Sequence, residues 1–444
     1  MSIKNLAVNT IRILSAEGVQ KANSGHPGLP LGAAPMAFSL WNDCMNHNPE
    51  NPNWINRDRF ILSAGHGSML LYSLLHIFGY GVTKEDLQSF RQWGSNTPGH
   101  PEYGDTVGVE ATTGPLGQGF AMGVGMALAE SNLAARFNKD NFNIIDHYTY
   151  VLSSDGCMME GITNEAASFA GSMGLEKLIV LYDSHNISME GRPDNTFSED
   201  VLKRYDALGW STFFVEDGND LEKIASTIEE AKKTDKPSII EIKTKIGYGS
   251  VLEDSEKSHG APLGEENVVK LKEKFQWEYE EEFYVPEEVR SLVEESKNRS
   301  KKLNEEWDAL YSEYQKAFPE LGEELENSLN GEIPEEYLDS DEFYEFEKDD
   351  ATRSHSGVVL NKLAEKMTNL IGGSADLAPS NKSNMKNTSN YSKDNREGRN
   401  IQFGVRELAM TAITNGIALH GGFVPYCSTF FVFADYMKPP MRLA

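Results

Sequence analysis

The chain has 444 residues and a formal net charge of -27, from 68 acidic against 41 basic side chains, and 39% of it is hydrophobic. This length and composition fit two or three globular domains and exclude disorder as the main state. So acidic a chain lacks the Lys/Arg excess that nucleic acid or an anionic membrane requires, and no apolar run approaches the ~20 residues of a membrane span; neither is expected as a partner. The opening MSIKNLAVNTIRIL has no cleavable-signal layout, and Cys44, Cys157 and Cys427 are too scattered for a disulfide framework. A cytoplasmic location is therefore expected.

In chain order, the first ~250 residues alternate strand-like and helix-like segments. Residues 148–153 (YTYVLS) form a β-prone run that meets a turn at Asp155-Gly156, and residues 160–174 then read as a helix. Residues 177–183 (KLIVLYD) and 211–215 (STFFV) read as strands, 221–233 as a helix and 238–243 (SIIEIK) as a strand. Such alternation argues for an α/β fold, a parallel sheet with helices on both faces whose ligands sit beyond the carboxyl ends of the strands. Residues 251–350 hold 32 acids against 11 bases, and so most of the negative excess. Within them Trp307, Leu310, Tyr311, Tyr314 and Phe318 recur at helical spacing, so residues 278–350 read as a helical linker with a solvated acidic face. From Ala351 the pattern is again α/β, with NLIGGSADLAPSN as strand then loop. The expected division is residues 1–277, the linker 278–350, and a partial second α/β domain at 351–444.

Four histidines stand in glycine- or proline-rich turns: SGHPG around His26, GHGS around His66, PGHP around His100 and SHGAP around His259. Glycine and proline fix sharp turns and admit a ligand to the backbone, and imidazole can bond phosphate or sugar oxygens and move protons near neutral pH. His47, His76 and His147 read as ordinary core or surface residues. The run Thr113-Gly114-Pro115-Leu116-Gly117-Gln118-Gly119 opens an Ala/Gly-rich helix. It reads equally as an anion-binding loop or as a tight turn before a close-packed helix. Asp155 and residues 183–187 fall at successive strand ends, where a carboxylate and a carbonyl-type oxygen could share one hard cation.

Nine segments, SGHPG, DRFILSAGHGSMLLYSLLH, TPGHPE, GVEATTGPLGQG, DGCMMEG, SHGAPLG, GGSADLAPSN, FGVRELAMTAITNGIALHGGF and STFFVFADYMKP, follow one another as they do in transketolases, and the whole chain resembles that family. The resemblance implies a thiamine diphosphate-binding fold: a diphosphate-binding domain at 1–277, a pyrimidine-binding domain begun at 351–444, and active sites between the subunits of a homodimer. It implies that His66, Gly114, Leu116, Gly156 and His259 hold the diphosphate and thiazolium, and that Asp155, His185 and the Ile187 carbonyl ligate Mg²⁺ or another divalent cation. Glu407 is implied as the carboxyl group on the aminopyrimidine, with Phe430, Phe433 and Tyr436 as the ring's aromatic pocket. Glu160 and Glu165 are implied to link the two cofactor sites. His26, His100, His259, Arg353 and Ser380 are implied to contact sugar phosphates, the last two through the phosphate, with Asp376 close by. The implied reaction moves a two-carbon ketol unit from a ketose phosphate to an aldose phosphate, a step of the pentose phosphate pathway.

Three departures from the family's pattern stand out. Ser154 precedes Asp155-Gly156 where the pattern has glycine. His185 stands where it has a metal-ligating asparagine, so that His185 takes a changed metal shell, Asn186 shifts in, or the site is weak. Residues 250–257 (SVLEDSEK) lack the pattern's loop before His259, which bears on closure over the cofactor. The chain also stops at Ala444, before the family's next substrate-contacting segment and its third domain, so a truncated product or fragment is expected. The alternatives are a truncated or degenerate non-catalytic homologue and a sister enzyme such as deoxyxylulose phosphate synthase or, closer, dihydroxyacetone synthase.

Overall fold

The computed structural model describes residues 1–192, 196–331, 333–335, 337 and 340–444; residues 332, 336, 338 and 339 of the expected linker lie outside the described residues. The chain folds as two compact units. One comprises residues 1–120, 147–163 and 176–306, the other residues 121–146, 164–175 and 307–444.

The first unit is built on five strands: β1 (Arg59–Leu62), β2 (Thr149–Ser154), β3 (Leu178–Ser184), β4 (Ser211–Val215) and β5 (Ser238–Lys243). They pair in the order β1-β2-β3-β5-β4, every pair parallel. All residues of β2 and β3 are buried, as expected for central strands covered on both faces. The expected strand runs coincide with β2 to β5 within one residue at each end. Helices Ile3–Ala22, Gly28–Ser39 and Ser68–Phe78 supply Ile11, Leu14, Phe38, Leu70 and Leu74, which pack with Phe60, Leu62, Tyr150, Leu152 and Leu181 in one core. The expected turn at Asp155-Gly156 is instead the start of a short helix, Asp155–Met159. There Asp155 sits in the first turn, where an acidic side chain suits the unpaired N–H groups.

The second unit holds a three-stranded parallel sheet, β6 (Leu370–Ser374), β7 (Asn400–Gln402) and β8 (Val424–Ser428), in the order β7-β6-β8. Two of its helical stretches cross at glycines: a Cβ on Gly125 would lie 2.0 Å from the Ile413 carbonyl oxygen, and one on Gly416 would lie 2.0 Å from that of Met122. The Ala/Gly run after the GPLGQG loop thus serves a close helix crossing. Helix Glu287–Ala317 lies within the expected linker. Trp307 and Tyr314 are buried on one side of it, while Glu305, Glu306 and Asp308 face solvent. Among the described residues no helix is long and apolar enough to cross a membrane. Cys44, Cys157 and Cys427 are free thiols.

Candidate functional site

In the first unit the glycine-flanked histidine turns collect around the carboxyl end of β1. β1 runs out into a 3-10 turn at Gly65–Gly67 carrying His66, and the next helix begins at Ser68. Ser68 Oγ donates to the Gly99 carbonyl at 2.9 Å, and Tyr72 Oη donates to the Pro98 and His100 carbonyls at 2.8 and 3.1 Å. These bonds pin the His100 turn beside His66. The Gly247 amide donates to the Gly28 carbonyl at 2.9 Å, and a Cβ on Gly28 would lie 2.6 Å from the Ser258 carbonyl, which brings the His26 and His259 turns together. The result is a cluster of four imidazoles. His26 lies 5.3 Å from His66, 6.3 Å from His100 and 5.7 Å from His259 between ring centroids, and His66 stacks on His259 at 5.1 Å.

Burial, neighbouring imidazoles and Arg91 all disfavour charge in this cluster. His26 is pushed down to about 4, and His66, His100 and His259 are also lowered. At neutral pH the rings are therefore uncharged donors and acceptors. His259 Nδ1 and Thr113 Oγ1 are buried and have no hydrogen-bond partner, so both retain hydrogen-bonding capacity. The 113–119 loop lies against the cluster. Gly114 has φ +135°, and a Cβ there would meet the His100 ring at 3.1 Å. Leu116 adjoins Gly156, whose added Cβ would lie 2.8 Å from Leu116 Cδ1, and Gly117 packs on the exposed Glu160 at 3.0 Å in the same sense. The Phe120 amide donates to Ser63 Oγ at 3.0 Å and fixes the loop to the end of β1.

The strand ends of β2 and β3 bring Asp155 and His185 together. Asp155 Oδ1 accepts from Tyr182 Oη at 2.5 Å; its Oδ2 accepts from the Asn186 amide at 2.7 Å and lies 2.9 Å from His185 Nδ1. Burial alone would raise the Asp155 carboxyl, but these bonds hold it below the usual carboxylate range. Burial opposes charge on His185, and Asp183 with Asp155 outweighs it and holds the imidazole at about 9. Asp183 itself is pushed up to about 6 by burial. Ser154 has φ -134° and ψ 175°, an extended backbone that any residue adopts, so the loss of glycine there strains nothing. Residues 250–258 are held by Gly249 N to Glu253 Oε2 at 2.9 Å and by Asp254 N to the Ile246 carbonyl at 2.9 Å.

In the second unit Glu407 opens helix Glu407–His420, and its Oε1 accepts from Thr429 Oγ1 at 3.3 Å. Glu165 accepts from the Ala409 amide at 3.0 Å, and burial raises its carboxyl. Phe430 stacks on Phe433 at 6.0 Å and Phe433 meets Tyr436 at 6.4 Å, which joins the three expected aromatics. Arg353 and Ser380 are exposed, on helices Thr352–Lys366 and Ala378–Asn381, and Asp376 is exposed at the end of β6. Two groups escaped the sequence reading. Arg91 donates to Ser24 Oγ at 2.9 Å and lies 3.4 Å from His26 Nδ1. It is the only Lys or Arg between Lys84 and Arg136, a signal that could have marked it. Tyr182, by contrast, reads as strand core, and only the fold turns its hydroxyl to Asp155.

Two family models cover the chain: "Transketolase, thiamine diphosphate binding domain" matches residues 3–334, and "Transketolase, pyrimidine binding domain" matches residues 349–444. The chain belongs to the transketolase family. It is 56% identical to the transketolase of Halalkalibacterium halodurans over 443 residues and 52% identical to that of Bacillus subtilis over 446, covering all of this chain in both cases. It spans about two thirds of those relatives, 66% and 67% of their lengths. Among solved structures, transketolase from Leishmania mexicana superposes with a TM-score of 0.96 at 44% identity, covering 100% of this chain and 66% of that one. A Pichia stipitis transketolase in complex with sedoheptulose 7-phosphate gives the same score and identity, covering 100% and 67%. Transketolases work with thiamine diphosphate and a divalent cation, and this chain carries the family's cofactor-binding domain.

The residues present fit that cofactor. The diphosphate is a multiply charged anion, and the unpartnered His259 Nδ1 and Thr113 Oγ1, with the cradle kept open at Gly114, offer it polar contacts without a competing side chain. For the cation, Asp155 Oδ2 and His185 Nδ1 make a mixed oxygen and nitrogen pair. Among the described residues no group of three His, Cys, Asp or Glu side chains is placed to hold a metal ion.

Proposed function

We propose that the chain performs the transketolase reaction, passing a two-carbon ketol unit from a ketose phosphate to an aldose phosphate, in the cytoplasm and within the pentose phosphate pathway. The observation that carries this reading is the cluster of four uncharged imidazoles with an unpartnered buried nitrogen beyond the carboxyl end of β1. When bound, thiamine diphosphate supplies a thiazolium that stores the electron pair of the two-carbon unit. His66 and His259, with Gly114, Leu116 and Gly156, hold the diphosphate end, and Asp155, His185 and the Ile187 carbonyl hold the cation. Glu407 bonds the aminopyrimidine and sets where its proton resides, while Phe430, Phe433 and Tyr436 take the ring. His26, His100 and His259 bond the sugar's oxygens and move protons there, and Arg353 and Ser380 take the sugar phosphate.

A homodimer is part of this proposal. Phe431, Val432 and Tyr436 are 97%, 69% and 62% exposed beside the expected pyrimidine pocket, an apolar surface suited to a second copy. Glu160 and Glu165 then serve as the carboxylates linking the two cofactor sites. The test is ketol transfer by the chain given thiamine diphosphate, a divalent cation and both sugar phosphates. Transfer is expected, and Glu407→Gln should lower it about 10²–10⁴-fold, the range for loss of a positioned proton carrier. Transfer that Glu407→Gln leaves unchanged would contradict the assignment.

A further inference from the structure

The cation corner departs from an all-oxygen site in a way that the geometry makes specific. Asp155 and His185 side chains are 4% and 3% exposed, and Oδ2 and Nδ1 lie 2.9 Å apart. Two neighbouring ligands of one ion, each at about 2.1 Å and at right angles, sit roughly 3 Å apart. In histidine Nδ1 is bonded to Cγ, just as the amide oxygen is in asparagine. His185 therefore delivers a nitrogen to the place that an amide oxygen would fill, without lengthening the side chain.

A second observation concerns the far side of the ring. His185 Nε2 faces Asp183 Oδ2 at 3.8 Å, and that oxygen is buried with no hydrogen-bond partner. The other Asp183 oxygen is taken by the Thr244 hydroxyl. Metal-bound histidines usually donate their second N–H to a carboxylate, which fixes the tautomer and the ring orientation. With Nε2–H turned to Asp183, a metal beside Asp155 would replace the proton that Nδ1 shares with Asp155 Oδ2 at 2.9 Å and displace the 3.4 Å contact from the Ile187 amide.

We propose that His185 Nδ1 is a metal ligand and makes this chain's cofactor site selective for a nitrogen-accepting transition metal, of which Co²⁺ is the probe, over Mg²⁺. Imidazole nitrogen favours the later first-row divalent ions, whereas Mg²⁺ seeks oxygen. Asp183 is a positioning residue for the ring. The inference rests on the cofactor reading above, and it adds which ion the cofactor binds with and which atom selects it.

The test titrates thiamine diphosphate into the full chain with Co²⁺ or with Mg²⁺, in the native protein and in H185N. The native chain should bind the cofactor at least about tenfold more tightly with Co²⁺, the scale on which changes around a metal's ligands act. H185N should abolish or reverse that preference, and D183N should narrow it. With Mn²⁺ and cofactor, pulsed EPR of protein labelled with ¹⁵N-histidine should show a histidine nitrogen coupling that H185N removes. Equal binding with both metals in the native chain, left unchanged by H185N, overturns the inference while the cofactor reading stands. Binding by H185N with Mg²⁺, where the native chain binds with neither metal, also overturns it, because His185 would then close the site through Asp155. No cofactor binding in either protein with any cation overturns the cofactor reading and the inference with it.

Discussion

At the scale of single residues, the candidate site depends on keeping four imidazoles uncharged in close company. Protonating one of them places a charge next to its neighbours in a partly dry pocket, which holds each ring below the usual histidine range. His26, pushed down to about 4, should show no change in its ring ¹⁵N shifts by NMR between pH 7 and 5.5. A midpoint near 6.5 would contradict the packing described. Because its folded value lies below its unfolded one, the stability tied to neutral His26 is fully present above about pH 6.5 and is lost as pH falls toward 4. The histidines of the cluster were legible in the sequence because each sits in a glycine or proline turn. Arg91 and Tyr182 were not, since an arginine in a loop and a tyrosine in a strand each have a bland explanation until the fold brings them to His26 and Asp155.

At the scale of elements, β2 and β3 could be read from their apolar runs because a parallel strand covered on both faces needs few polar residues, and the edge strand β4 was read from its β-branched and aromatic run although it is only partly buried. The second unit was harder. β7 has three residues, too few for a pattern, and β8 carries Pro425, which an edge strand tolerates but which argues against a strand in sequence. The GPLGQG segment left two readings open, and the helix that follows, which crosses another at Gly125 and Gly416, supports the tight turn before a close-packed helix, while Gly114 lies against the His100 ring. Gly416→Leu should destabilise the protein by about 1–3 kcal/mol or more, by overpacking against the Met122 backbone, measured as a lowered denaturant midpoint. Gly161→Ala, where an added Cβ meets nothing within 4 Å, should be neutral or stabilising by up to about 1 kcal/mol. Equal effects of the two would remove the crossing as the reason for glycine.

At the scale of the whole molecule, the net charge of -27 is chiefly that of residues 251–350, where Glu305, Glu306 and Asp308 lie on the solvent side of helix Glu287–Ala317. Tyr314 is fully buried and Trp307 donates its indole N–H to the Ile144 carbonyl at 2.8 Å. Trp307→Ala should therefore cost about 3–5 kcal/mol in chemical unfolding, whereas a freely solvated acidic tail would show almost no change. Family membership was legible because nine segments recur in order over the chain. The cation site was not, because position 185 left three readings open, a changed metal shell, a shift to Asn186 or a weak site, and the distances from His185 to Asp155 and Asp183 are not legible in sequence.

The central claim, that the imidazole cluster of the first unit receives thiamine diphosphate, is tested most directly by calorimetric titration of the cofactor with a divalent cation into the full chain and into a His259→Ala variant. Saturable binding with Kd below about 1 mM in the native chain, weakened at least about tenfold by the variant, is the predicted result. No binding at millimolar cofactor with any cation, or binding that His259→Ala leaves untouched, would contradict it.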